Sequence, residues 1–139
     1  MRMDFMQKLD ERGVVAAEFA LLLPVLLTIL FSIIEFGMIM YGREVVTNAS
    51  REGARAGIVQ VSPKPTSGDI TTITTNYLAG TGINVADVTI TVSGAGGANP
   101  ATLTVTATYN YSWLIPYIPT LLGLPSPLPI TMATTMRHE

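Results

Sequence analysis

The feature that most restricts this chain is an apolar run over residues 14–42 whose only charged side chains are Glu18 and Glu35. At about 1.5 Å of rise per helical residue, the run exceeds the roughly 30 Å hydrocarbon core of a bilayer, so it is expected to form one transmembrane helix. Pro24 lies inside the run and removes one backbone donor. Membrane helices tolerate that loss through a local kink or through partners on adjacent helices. Tyr41 falls at interfacial depth, and Arg43 and Glu44 follow it. The positive-inside rule does not set the orientation, because Arg2, Lys8 and Arg12 precede the run and Arg43, Arg51 and Arg55 follow it. A secretory signal peptide fits poorly. Its apolar region spans only about 7–15 residues and ends at a small-residue cleavage site.

Charge usage agrees with a membrane or a buried assembly surface. Charged residues make up 13% of the 139, against about 25% in ordinary soluble domains. The net charge of −2 offers no basic face to nucleic acid. Cysteine is absent, which removes disulfides, thiolate metal ligands and thiol nucleophiles. The one histidine, His138, is penultimate and is expected to be mobile. With no carboxylate pair, metal-ligand spacing or nucleophile elbow, the expectation is a protein that is not an enzyme and holds no cofactor or metal. No Asp, Glu, Lys or Arg occurs between Asp87 and Arg137. Two readings fit that gap: packing against neighbours or a membrane surface, or a Thr-rich β surface kept soluble by its hydroxyls.

Beyond the run, residues 43–58 continue as a more polar helix. Ala49, Gly53 and Gly57 recur every four residues, a small-residue stripe that lets helix backbones approach closely. That face can serve a partner helix or the chain's own outer domain. Arg51 and Arg55 lie on another face beside Glu52, where local ion pairs are worth only tenths of a kcal/mol. Glu35, near the far end of the run with Gly37 and Gly42, suits a packing or interfacial role.

Residues 59–68, with Pro63, Pro65 and Gly68, read as a linker. Ser67 or Asp69 is expected to cap a short helix with Ile70, Ile73, Tyr77 and Leu78 on one face and Gly80 or Gly82 at its end. Val88, Ile90 and Val92 then alternate with threonines, as do Leu103, Val105, Ala107, Tyr109 and Tyr111. These period-2 patterns predict two strands joined as a hairpin through residues 94–100, and a third strand spans residues 130–136. The glycines of that loop are followed by a strand and no Lys, which argues against a nucleotide site. Residues 113–129 are apolar, but Pro116, Pro119, Pro125, Pro127 and Pro129 argue against a helix. The segment is expected to be an irregular loop lying over the sheet's open face. If it is exposed instead, Trp113, Leu114, Ile115 and Tyr117 form an interaction patch. The fold class is therefore α+β: a long N-terminal transmembrane helix continuing into a small head with a short helix and a three-stranded antiparallel sheet.

A short charged leader ending in Gly13, followed at the mouth of the apolar run by Glu18 and Phe19, resembles the processing site of type IV pilin-like proteins. Two further segments extend the resemblance, Ile34-Glu35-Phe36-Gly37 and Asn48-Ala49-Ser50-Arg51-Glu52-Gly53-Ala54-Arg55-Ala56. With Glu18-Phe19-Ala20-Leu21-Leu22-Leu23-Pro24 they stand in the order seen in TadE-like proteins, minor pseudopilins of the bacterial tight-adherence (Flp) pilus system. The major pilins of that system are much shorter and typically carry Glu-Tyr, so Phe19 and the longer outer domain favour a minor subunit. The resemblance implies cleavage after Gly13 by a prepilin peptidase and partnership with other pilins, pseudopilins and inner-membrane Tad assembly proteins. It places the N-terminus in the cytoplasm and the head in the periplasm of the bacterial inner membrane, with incorporation into the pilus as a further destination. The organisation is then a leader at 1–13, a helix at 14–58, a linker at 59–68 and a head at 69–139.

The resemblance gives Glu18 a physical reason to be there. Cleavage would leave a new α-amino group at Val14, charged below its reference pKa of about 7.7–8.0. Among parallel helices, Glu18 of one subunit can pair with Val14 of the next, lowering the buried net charge and setting axial register. The plainer account is an interfacial carboxylate reaching back to headgroup water. A reading of another class is a single-pass anchored binding protein that never polymerises.

Overall fold

The computed structural model describes residues 2–97 and 101–138, with side chains from Gly13 onward. Its elements follow as α1 (Arg2–Gly57), α2 (Ser67–Ala79), a 3-10 turn (Val85–Asp87), β1 (Val88–Ser93), β2 (Thr102–Tyr111), α3 (Tyr117–Leu122) and β3 (Leu128–Arg137). This is the expected α+β class. The chain divides into two units, Met1–Phe36 and Gly37–Glu139, and α1 contributes to both. Ala98, Asn99 and Pro100 of the expected hairpin loop lie outside the described residues.

The first unit is helix alone. Among the described residues, α1 is the one helix long and apolar enough to cross a membrane, over Gly13–Gly57. Helical geometry continues through Pro24. The Thr28 hydroxyl donates to the Pro24 carbonyl at 2.7 Å, and the Ser32 hydroxyl donates to the Thr28 carbonyl at 2.7 Å. Such back-bonds satisfy hydroxyls that an apolar medium would otherwise leave unmade. Side chains 14–34 are all exposed, and Glu35 is buried.

The second unit is a two-layer head. The strands form an antiparallel meander in the order β1-β2-β3, with Val92 opposite Val105 and Val105 opposite Thr134. One face carries the inward residues Leu103, Val105 and Ala107, all fully buried, with Ile90 and Val92 beside them. Residues 42–57 of α1 and helix α2 pack on that face. One apolar cluster gathers Val45, Ala49, Leu78 and Ile83, and a second gathers Ala54, Ile70, Leu103 and Val105. Ile90 touches both and joins them into one core. The opposite face presents threonines, with the Thr104–Thr135 hydroxyls at 2.9 Å and the Thr108–Thr131 hydroxyls at 3.0 Å.

Several expectations need correction. Helix α2 is capped by Thr66, not by Ser67 or Asp69. The Thr66 hydroxyl accepts from the Asp69 N–H, and the Asp69 carboxylate accepts from the Thr66 N–H at 2.9 Å. This capping box moves the helix start ahead of the expected linker end at residue 68. The buried face of α2 is Ile70, Thr74 and Leu78, whereas Tyr77 is exposed. Thr74 can occupy the core because its hydroxyl donates back to the Ile70 carbonyl at 2.8 Å. Gly80 ends the helix, as one of the two expected glycines.

Residues 117–122 form a short helix where a wholly irregular loop was expected. Pro116 is its N-cap and Pro119 lies in its first turn, where a backbone N–H has no helical acceptor to lose. Gly123, with φ 65°, closes it. Strand β3 is longer than residues 130–136 by two residues at the start and one at the end. His138 is buried, not mobile. Its N–H donates to the Ala101 carbonyl at 3.0 Å, and its Nε2 lies 3.1 Å from the Gly94 carbonyl oxygen.

Candidate functional site

The residues singled out by sequence fall into three groups. The first lies on the N-terminal unit. Helical backbone runs unbroken from Arg2 past Gly13, and nothing approaches within 4 Å of the position a Gly13 side chain would take. Val14, Ala17, Glu18, Leu21 and Leu22 line one shallow open groove along the helix. Val14 and Glu18 therefore stand one turn apart on the same face, as the helical period requires. Phe19 is exposed beside them.

The second group is the small-residue stripe, and the structure places it inside the head. Ala49 is fully buried against Val45, Leu78 and Ile83. A methyl group at Gly53 would overlap the Thr74 hydroxyl and come within 3.3 Å of a Val105 methyl. At Gly57 it would overlap Leu103 and stand 2.6 Å from an Ile70 methyl. Gly42 belongs to the same line of close approach, with Tyr109 ring carbons at 3.1 and 3.2 Å and Ile130 at 3.6 Å. Sequence reasoning tied Gly42 to Glu35 only and missed Ser50, whose buried hydroxyl meets the Thr134 hydroxyl at 2.7 Å. The repeat Gly42, Ala49, Gly53, Gly57 carried the signal for the first. No sequence spacing betrays the second.

Electrostatics around this packing is sparse. Arg55 and Glu52 form a forked surface pair at 2.7 and 3.2 Å. Hydrogen bonds from the Thr66 backbone and then the Thr66 hydroxyl hold the Asp69 carboxyl below its ordinary range. Burial, with the charge of Asp87 second, pushes the Tyr109 phenol up. No group of three or more His, Asp or Glu side chains gathers among the described residues.

The third group is the loop between β2 and β3. Trp113 and Ile115 are half-buried, while Leu114 and Tyr117 are exposed at 63% and 82%. The Trp113 indole donates to the Pro125 carbonyl at 2.9 Å and sets its edge against Tyr111, which stacks in the same way on Tyr109. Helix α3 then adds Leu121 and Leu122, both well exposed. The loop does not lie over the sheet: Thr89, Thr91, Thr131 and Thr135 are exposed on the open face. Leu121, Leu122 and Leu124 were missed as patch residues, although Pro116 ahead of residues 117–122 and Gly123 after them bracket a short helix.

Together these features define a class: an apolar helix long enough to cross a membrane that runs into a small α+β head closed over its own helix. Comparison then narrows it. The family model described as TadE-like protein matches residues 13–55, a stretch that carries the first two motifs and all but the last residue of the third. The match points to association with a Tad pilus and, with the apolar helix, to anchoring in a membrane. No match was found among curated proteins or among solved structures.

Proposed function

We propose that this chain is a minor pseudopilin that takes part in assembling an adhesive Flp/Tad pilus and is processed after Gly13. The observation that carries the reading is the family match beginning at Gly13, directly ahead of an exposed helix face that holds Val14 and Glu18. In this reading a prepilin peptidase removes residues 1–13 on the cytoplasmic side of the inner membrane. The Val14 amine then meets Glu18 of a neighbouring subunit, and α1 is drawn into register with other pilins. Glu18 lies near the mouth of the run, so leaving it unpaired costs less than the about 2.5–3.5 kcal/mol that insertion scales assign to a charge at the bilayer centre, and pairing offsets part of that smaller cost. The pair contributes register more than stability, since desolvation offsets much of its attraction.

The test is co-expression with the cognate prepilin peptidase, followed by intact-mass measurement on membrane-extracted protein. Loss of residues 1–13 supports the reading, and a full-length mass refutes the processing step. Charge-based separation would not serve, because the leader carries Arg2, Lys8 and Arg12 against Asp4, Asp10 and Glu11. The substitution Glu18→Ala should weaken cross-linking to pilin partners while leaving membrane insertion intact. Unchanged partner capture by that variant would favour an anchored binding protein that does not polymerise.

A further inference from the structure

The exposed apolar loop sits at a definite end of the head. Gly57 of α1 packs on Leu103, and Gly42 packs on Tyr109. Fifteen helical residues cover about 22 Å and six strand residues about 20 Å, so β2 runs antiparallel to this part of α1 and nearly in step with it. Tyr111 lies two residues further, about 7 Å beyond Tyr109, and pairs with Leu128 of β3. The chain between those two residues therefore leaves and re-enters the sheet at the Gly37 end of the head, with Ile118 and Pro119 of α3 buried and the leucines around them exposed.

That segment is unusual in chemistry as well as in place. Leu114, Tyr117, Leu121, Leu122 and Leu124 are exposed together, and Trp113 stands beside them with its indole N–H bonded. No Asp, Glu, Lys or Arg occurs between Asp87 and Arg137, so covering the patch with hydrocarbon would strand no charge. Tyrosine and tryptophan are the residues that suit headgroup depth. The segment is one short helix between irregular flanks, whose backbone groups still need water or headgroups and so keep it out of the bilayer core.

We propose that the α3 loop is a membrane-interface foot: Leu114, Tyr117, Leu121 and Leu122 rest in the headgroup and upper acyl region of the leaflet from which α1 emerges. The proposal rests on the reading of α1 as a membrane anchor. Its occupant is lipid, because the loop lies at the end of the head from which the chain continues into its apolar span. The foot gives the head a second attachment to the bilayer, and release from the bilayer would uncover an apolar surface for the next contact.

The chain has no cysteine, so single labels can be placed without background. Full-length Leu121→Cys, Ser93→Cys and Ile29→Cys variants would each carry a nitroxide in nanodiscs of phosphatidylethanolamine and phosphatidylglycerol. Collision rates with oxygen and with a water-soluble nickel chelate are then compared. Position 121 should show an oxygen-to-nickel ratio several-fold above that at position 93, which is exposed at the end of β1, and nearer to that at position 29. If position 121 reads as aqueous while position 29 reads as lipid, the foot is wrong and the anchor stands. If position 29 reads as aqueous, anchor and foot fall together. If position 121 is shielded from both agents, protein covers the loop, and the lipid assignment is overturned in favour of a second copy.

Discussion

The stripe of small residues yields the sharpest energetic prediction, because it can be worked from contacts at a single position. In the substitution Gly53→Ala, helix propensity alone favours alanine by about 1 kcal/mol. Packing opposes it. The new methyl group would overlap the Thr74 hydroxyl, which is itself bonded to the Ile70 carbonyl at 2.8 Å, and would crowd Val105 at 3.3 Å. Swinging Thr74 aside costs that bond, about 1 kcal/mol net, and overpacking a close-packed core adds roughly 1–3 kcal/mol. The balance is a loss of about 1–3 kcal/mol, equivalent to a fall of roughly 5–20 °C in Tm for a head of this size.

Thermal unfolding of the detergent-solubilised chain, followed by fluorescence of Trp113, reads this directly, since Trp113 is the only tryptophan and lies in the head. Gly37→Ala is the matched control in the same helix. Nothing lies within 4 Å of its new methyl, so Tm should hold or rise slightly. In double-mutant cycles, Thr74→Ala removes the obstructing oxygen and should recover much of the loss, whereas Thr74→Ser keeps it and should not. A Gly53→Ala variant as stable as the wild type, or equal rescue by alanine and serine, would refute the reasoning.

Two more predictions concern polar groups in the head. Ser50→Ala leaves the Thr134 hydroxyl without its 2.7 Å partner at a buried helix–sheet contact and should cost about 1 kcal/mol; adding Thr134→Val should recover part of it, as Tm of the two singles and the double would show. Thr66→Ala removes the α2 cap and should also cost about 1 kcal/mol. Because Asp69 has a depressed pKa in the folded chain, its contribution is complete above the unfolded carboxylate value, about 3.9, and is lost as pH falls through the lower folded one. Tm measured between pH 7 and pH 2.5 should therefore fall less steeply at the acid end for Asp69→Asn than for the wild type.

Much of this architecture is legible wherever side chains act through periodicity. Val88, Ile90 and Val92 against Leu103, Val105 and Ala107 declare a sheet with one buried face, and the apolar run declares α1. The misses arise where hydrogen bonding overrides residue type. Thr74 counts as polar in any periodic reading, yet its back-bond to Ile70 lets it replace Tyr77 on the buried face of α2. Prolines usually forbid helix, but Pro119 falls in the one turn that needs no donor. His138 reads as a loose end because its anchoring depends on the carbonyls of Gly94 and Ala101, which no spacing along the chain reveals.

The destination of the small-residue stripe also bears on how the chain can assemble. Ala49, Gly53 and Gly57 are occupied by the head's own sheet and by α2, so they are closed to a neighbouring helix while the head is folded. If the chain assembles as proposed, contact between subunits must use other surfaces, and residues 14–34 of α1 are exposed. The two groups should therefore fail in different ways. Glu18→Ala removes an exposed carboxylate outside the head and should lower pilin cross-linking with Tm of the head unchanged. Gly53→Ala should lower Tm by the amount worked above, and its cross-linking should recover when cells are grown at a temperature where the head stays folded. If Glu18→Ala lowers Tm as far as Gly53→Ala does, or if cooling fails to restore cross-linking to the Gly53→Ala variant, then the helix is not divided between a packing half and an assembly half.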